Sequence, residues 1–265
     1  MSKAVIHLLG DAILDNYAQL RIPENDLRKE LSELGFTVNN CAVDEVKVSD
    51  ILNGIIPKDV YIRGRTYVYP QDKDGKMFPL NSVLSTIGVN KSFVSVYGGI
   101  HAPRGADNMV VISMGGNDIR PHVNKIILGA QYFIGSVVTE KFILDFDKVI
   151  EMVKTGCTKI VLVSIYLPYL GVGSSYGLYS PVAKPIINKW NKFIYDMGKK
   201  YNIPVLDLSR TLNVGNREHY GKDDTRVSNI SNKCMADAIN YIYKNYDNYH
   251  IYYCPDCQIS NISIE

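Results

Sequence analysis

Residues whose types could do chemistry gather in two short stretches, each at the end of an apolar run. The first is Gly10-Asp11-Ala12, followed by Asp15-Asn16, within the stretch KAVIHLLGDAILDN; the second is Gly115-Gly116-Asn117-Asp118, directly after Asn108 to Met114. A continuous apolar run reads as a buried parallel strand. Open α/β sheets bind ligands just beyond the carboxyl ends of such strands, so chemistry is expected near residues 10 to 16. The first stretch has the form of a turn that presents a nucleophile, yet position 12 carries only a methyl group.

The elements that must hold these turns can be read from periodicity. Lys3 to Leu9 is a strand. Leu27, Leu31 and Leu34 recur at helical spacing over Asn25 to Leu34, with Gly35 as a helix stop. Thr37 to Val43 is a second strand and Val48 to Ile55 a short amphipathic helix. Residues 57 to 107 break the rhythm with Pro57, Pro70, Pro79, Pro103 and the run QDKDGK, and read as an ordered insertion or lid. Strand Asn108 to Met114, helix Thr139 to Lys154, strand Lys159 to Ile165, a helix from Ser180 to Lys200, strand Pro204 to Leu208 and helix Ser231 to Tyr243 complete the pattern. This alternation predicts an α/β fold, a three-layer α/β/α sandwich of flavodoxin-like form around a mainly parallel five-stranded sheet. The whole of 1–265 is expected to be one domain.

The 265 residues carry a net charge of +2, and no basic stripe with interleaved aromatics is present, so nucleic acid is not an expected partner. No apolar run is long enough to span a bilayer and the N-terminus lacks the layout of a secretory signal. Five scattered cysteines suit a reducing compartment. The expectation is a cytoplasmic protein, or one delivered into a host cytoplasm.

GDAILDN after a first strand, GGND after a middle strand and a polar segment before the last helix together resemble the SGNH (GDSL) hydrolase family, in the right order and across nearly the whole chain. That resemblance implies ester hydrolysis by a serine mechanism. A hydroxyl at a strand end attacks the carbonyl, a base takes its proton, and preorganised donors hold the oxyanion. The family's serine would lie at position 12, occupied here by Ala12. The oxyanion asparagine would be Asn117, with Gly115 shaping its turn. Asp11 and Asp118 flank these positions, and no cofactor or metal is implied.

This chain departs from the family pattern at three places. Ala12 cannot attack a carbonyl. The second block, NNCAVDEVKVSD, has Glu45 where the family carries glycine. The fifth block, Asp-x-x-His in the family, reads Asp223-Asp224-Thr225-Arg226. Arginine stays protonated and is no general base. His219 is a candidate replacement, oriented by Asp223; a solvent-exposed, inert loop histidine is the alternative. Ala12 itself has two readings: a deliberate replacement of serine, favoured by the intact Gly10, Asp11, Asp15 and Asn16, or a natural pseudoenzyme that keeps the pocket as a binding module, favoured by Glu45 and Arg226.

The expected ligand is a small acylated or glycosylated substrate. Tyr166, Tyr169, Tyr176 and Tyr179 could stack on it or could simply pack their loop. Cys254-Pro-Asp-Cys257 has the spacing of half a zinc site or of a redox pair, but with no second pair or paired histidines a C-terminal hairpin is the expectation. A flavodoxin-like nucleotide binder is disfavoured because no glycine-rich phosphate loop follows the first strand. The sequence carries no sign of an oligomeric state.

Overall fold

The computed structural model describes residues 4–14, 25–40, 42, 46–53, 107–127, 138–154, 157, 159–174, 180–222, 224–258 and 263–264. The apolar runs become strands β1 (Val5–Gly10), β2 (Thr37–Asn40), β3 (Asn108–Ser113), β4 (Lys159–Val163), β5 (Val205–Leu206), β6 (Ile251–Tyr253) and β7 (Ser263–Ile264), in the order β2-β1-β3-β4-β5-β6-β7. The first six run parallel and β7 is antiparallel to β6. All five strands expected from the sequence are present. The sheet is larger than the five strands foreseen because the tail, expected as a hairpin, adds β6 and β7 to its edge.

Helices cover both faces. They are α1 (Leu27–Glu33), α2 (Val48–Asn53), α3 (Gly116–Ile127), α4 (Glu140–Lys154), α5 (Ser180–Tyr201), the single turn α6 (Leu208–Thr211) and α7 (Asn229–Lys244). Side chains alternate along each central strand. Met109 and Val111 of β3 pack with Leu27, Leu31, Ala238 and Ile239 on the α1/α7 side, whereas Val110 and Ile112 pack with Phe146, Ile150, Ile186 and Trp190 on the α4/α5 side. A sheet buried on both faces needs the near-continuous apolar strands seen in the sequence.

Helix α3 was not foreseen. It begins at the GGND turn and continues through Pro121, a residue that costs a helix interior about 3 kcal/mol. The ends of α1 and α7 follow local chemistry. Asp26 caps α1 by accepting from the Lys29 N–H at 3.0 Å, and Ser228 caps α7 by accepting from the Ser231 N–H. α7 thus starts at Asn229, slightly earlier than its apolar stripe indicates. No described helix is long and apolar enough to cross a membrane. Most of the expected 57–107 excursion, together with Asp15, Asn16, Glu45, Tyr176, Tyr179 and Asp223, lies outside the described residues.

Candidate active site

The register between the two central strands brings the two polar turns together. β1 and β3 pair from Val5 with Asn108 through Gly10 with Ser113, so both strands end on the same rung. At that rung Gly10 adopts φ +131°, and a Cβ there would sit 1.7 Å from the Ser113 carbonyl oxygen, a contact only glycine permits. The chain then folds into one tight turn. The Asp11 N–H donates to Ser113 O at 3.1 Å, the Leu14 N–H to Asp11 O at 3.1 Å, and the Ile13 N–H to Asp11 Oδ1 at 3.3 Å. Ser113 Oγ donates to the same Asp11 oxygen at 2.8 Å. Asp11 is therefore a buried carboxylate whose hydrogen bonds fix the turn that carries Ala12. Among the described residues none accepts from the Ala12 N–H.

The second turn is shaped from below. Gly115 has φ +104°, and its Cα lies against the indole of Trp190, whose Nε1 a Cβ would approach to 2.4 Å. Gly116 leaves room for the Asp11 carboxylate, which a Cβ would meet at 2.9 Å. Asn117 Nδ2 donates to Val46 O at 3.0 Å, and Asp118 Oδ2 accepts from the Val48 N–H at 3.2 Å. Two consecutive side chains of the second turn thus grip the chain on either side of Lys47. An amide nitrogen carries two hydrogens; with one held by Val46, the orientation of the other is set. Burial raises the Asp118 pKa to about 6, against the lowering effect of the Val48 N–H and Lys47.

The segment aligned with the family's fifth block precedes α7 and is laced to the loop after β4. Tyr166 OH donates to Thr225 O at 2.7 Å, the Tyr169 N–H to Asp224 O at 2.8 Å, and Tyr220 OH to Leu167 O at 3.1 Å. Tyr220 and Val227 form an antiparallel bridge, and the Gly221 N–H donates to Arg226 O at 2.7 Å. Tyr166 and Tyr169 here pack and brace their own loop against the segment that carries Arg226. The shared core of Ile13, Leu14, Tyr166, Tyr220 and Val227 joins that segment to the first turn.

His219 is buried, on a 3-10 turn formed by Arg217–His219. Its Nδ1 accepts from the Asn213 N–H at 2.9 Å, so the neutral ring carries its proton on Nε2, and burial lowers its pKa. Its free basic lone pair is thus already engaged by backbone. Sequence reasoning missed Ser113, Val46 and Trp190 as supports of the turns, and Asn191, which holds Ile165 at both its N–H (2.8 Å) and its carbonyl (2.7 Å). Of these only Trp190, the single tryptophan, stood out by composition.

No family model matches the sequence, and no curated protein matches it. Solved structures do match the fold. The chain is similar to the lipase Lip_vut3 from a goat rumen metagenome (13% identity, 90% of this chain and 97% of that one, TM-score 0.55) and to an extracellular lipase from Streptomyces rimosus (12%, 90% and 99%, TM-score 0.52). It is also similar to a G-D-S-L-family protein from Desulfitobacterium hafniense (14%, 91% and 99%, TM-score 0.50). The fold is that of the SGNH (GDSL) hydrolases. Within that fold, the paired ends of β1 and β3 carry the Gly10-Asp11-Ala12 and Gly115-Gly116-Asn117-Asp118 turns, Asn117 and Asp118 clasp the chain on either side of Lys47, and Arg226-Val227-Ser228 leads into α7.

Proposed function

We propose that this chain is a one-domain, SGNH-type carboxylic ester hydrolase whose nucleophile position is Ala12, catalytic with serine there and inactive with alanine. The observation that supports the reading is the common end of β1 and β3, which brings the turn that carries Ala12 and the turn that carries Asn117 to the same carboxyl edge of the sheet. In the serine form, the hydroxyl attacks the ester carbonyl and its proton passes to a base. The carbonyl oxygen, now negative, is held by the N–H of residue 12, the second hydrogen of Asn117 Nδ2 and the N–H of residue 45. Loss of one such donor costs about 10²- to 10³-fold in rate.

The base is the finer question. His219 would serve only by giving up the Asn213 N–H, and Asp223 is the carboxylate suited to orient it. Arg226 cannot accept a proton; in the sequence register it replaces the family's histidine, and there it would pair with an anionic or polar part of the ligand. The substrate class is a small acylated or glycosylated molecule, shaped by residues 57–107 as a lid.

A second reading rests on the same arginine. With Ala12 and Arg226 at two catalytic positions, the chain would be a natural binding module with an intact donor set. Hydrolysis of short-chain p-nitrophenyl esters by Ala12→Ser, Ala12→Ser/His219→Ala and Ala12→Ser/Arg226→His separates these. The ester reading expects turnover above background in the Arg226→His form at least, and turnover in Ala12→Ser that disappears with His219→Ala if His219 is the base. Absence of turnover in all folded variants favours the binding module.

A further inference from the structure

Cys254-Pro-Asp-Cys257 takes no part in the ester chemistry, and the structure gives it a third thiol that spacing could not reveal. β6 ends at Tyr253, and Pro255–Cys257 form a single 3-10 turn in which Asp256 and Cys257 hold φ of 52° and 56°. Non-glycine residues in this region are strained by about 1 to 2 kcal/mol each, so other contacts must hold the turn. The Cys254 N–H donates to Thr211 Oγ1 at 3.2 Å, and the Cys257 N–H closes on Cys254 O at 3.0 Å. Cys257 Sγ lies 3.8 Å from Ser231 Oγ and 4.0 Å from Thr211 O. Cys234 follows Ser231 by three residues on the same face of α7, one turn along from the hydroxyl that Cys257 Sγ approaches.

The three thiols differ in access. Cys234 and Cys254 are buried, each about 1% exposed, whereas Cys257 is partly exposed. One sulfur is thus reachable from solvent, and a sealed one lies one helical turn past the Ser231 hydroxyl beside it. The hydrogen bond from Cys234, with help from Ser231, holds the Cys257 thiol below its ordinary pKa against its burial. The same contact, then burial, pushes Cys234 well up. This is the division of labour of an attacking thiolate and a resolving thiol. Among the described residues no three His, Cys, Asp or Glu side chains are arranged to hold a metal ion.

We propose that Cys257 and Cys234 form a thiol–disulfide exchange site for low-molecular-weight disulfides, with Cys257 as the attacking thiol and Cys234 as the resolving one. The Cys257 thiolate attacks one sulfur of R–S–S–R; that S–S bond breaks, RS⁻ leaves, and Cys257 becomes a mixed disulfide. Its negative charge is then gone, and with it the chief influence that kept Cys234 protonated. Cys234 gives its proton to water or to the departing RS⁻ and attacks Cys257 Sγ, expelling the second RS⁻. The two protein thiols lose two electrons and two protons, and R–S–S–R becomes two RSH. The product bridges the turn after β6 to α7, whose cap Ser228 directly follows Arg226-Val227, so oxidation braces the segment beside the candidate active site.

The test uses the full chain, fully reduced, then exposed to oxidised glutathione, with remaining thiols alkylated under denaturing conditions and the peptides mapped by mass without reduction. The expected product is a Cys234–Cys257 bridge with Cys157 still alkylated, and a Cys234→Ala variant that stops with one glutathione on Cys257. A Cys254–Cys257 bridge, first reaction at another cysteine, no reaction, or bound zinc that must be chelated before Cys257 reacts would each overturn the proposal. The map of the unaltered chain decides the matter even if the variant does not fold.

Discussion

Alanine at Gly10 is expected to destabilise the protein far more than alanine at Gly35, although both glycines have positive φ, +131° and +96°. At Gly35 a Cβ meets nothing within 4 Å, so the cost is backbone strain alone, about 1 to 2 kcal/mol. At Gly10 the same strain is joined by a Cβ 1.7 Å from Ser113 O, with Ser113 C at 2.7 Å, and both are backbone atoms of the paired central strand. Relief requires the last rung of β1 and β3 to part. That breaks the 3.1 Å bond from the Asp11 N–H to Ser113 O, about 1 kcal/mol, and the 2.8 Å bond from Ser113 Oγ to the buried Asp11 carboxylate, about 1.5 to 3 kcal/mol. The sum is roughly 3.5 to 6 kcal/mol, a large part of the stability of a typical domain. Equilibrium urea unfolding of the two variants against the parent, compared through their midpoints at constant slope, gives both numbers. A Gly10→Ala cost within about 1 kcal/mol of the Gly35→Ala cost would refute the claim that strand pairing dictates the first turn.

Two pH dependences follow from buried groups of opposite sign. Burial holds His7 at about 4, below its ordinary 6.5, so the unfolded chain binds the proton first; stability is lost as pH falls from 6.5 through 4, by about 3 kcal/mol, and His7→Gln should flatten that loss in unfolding curves at pH 7 and pH 4.5. Burial instead raises Asp118 to about 6, so its contribution is complete below about 4 and is lost as pH rises through 6, by about 3 kcal/mol. Asp118→Asn retains an acceptor for the Val48 N–H, and its stability relative to the parent should climb between pH 4 and pH 7; a constant difference would show that Asp118 is not held in the raised state.

The sheet was legible because β1, β3 and β4 are buried on both faces and so had to be written as unbroken apolar runs. Gly35 marked a helix end by known capping chemistry, whereas the strand order and the caps Asp26 and Ser228 came only with the structure. α3 was hidden by Pro121, and the edge pair β6 and β7 by being three and two residues long. At the candidate site, it was the resemblance to the SGNH pattern that pointed to Ala12, Asn117 and Gly115. It could not point to Val46 or Trp190, whose roles come from distant packing: a main-chain carbonyl 71 residues from Asn117, and a ring under Gly115. The Nδ1 bond of His219 was equally unreadable, because a backbone N–H has no sequence signature.

The central claim is that position 12 is where a serine nucleophile acts. Treating the Ala12→Ser/Arg226→His form and the parent with a fluorophosphonate, followed by peptide mass mapping, tests it most directly. The account predicts one phosphonyl group on position 12 of the serine form and none on the parent. No adduct on the folded serine form, or an adduct on another residue such as Ser113, would contradict it.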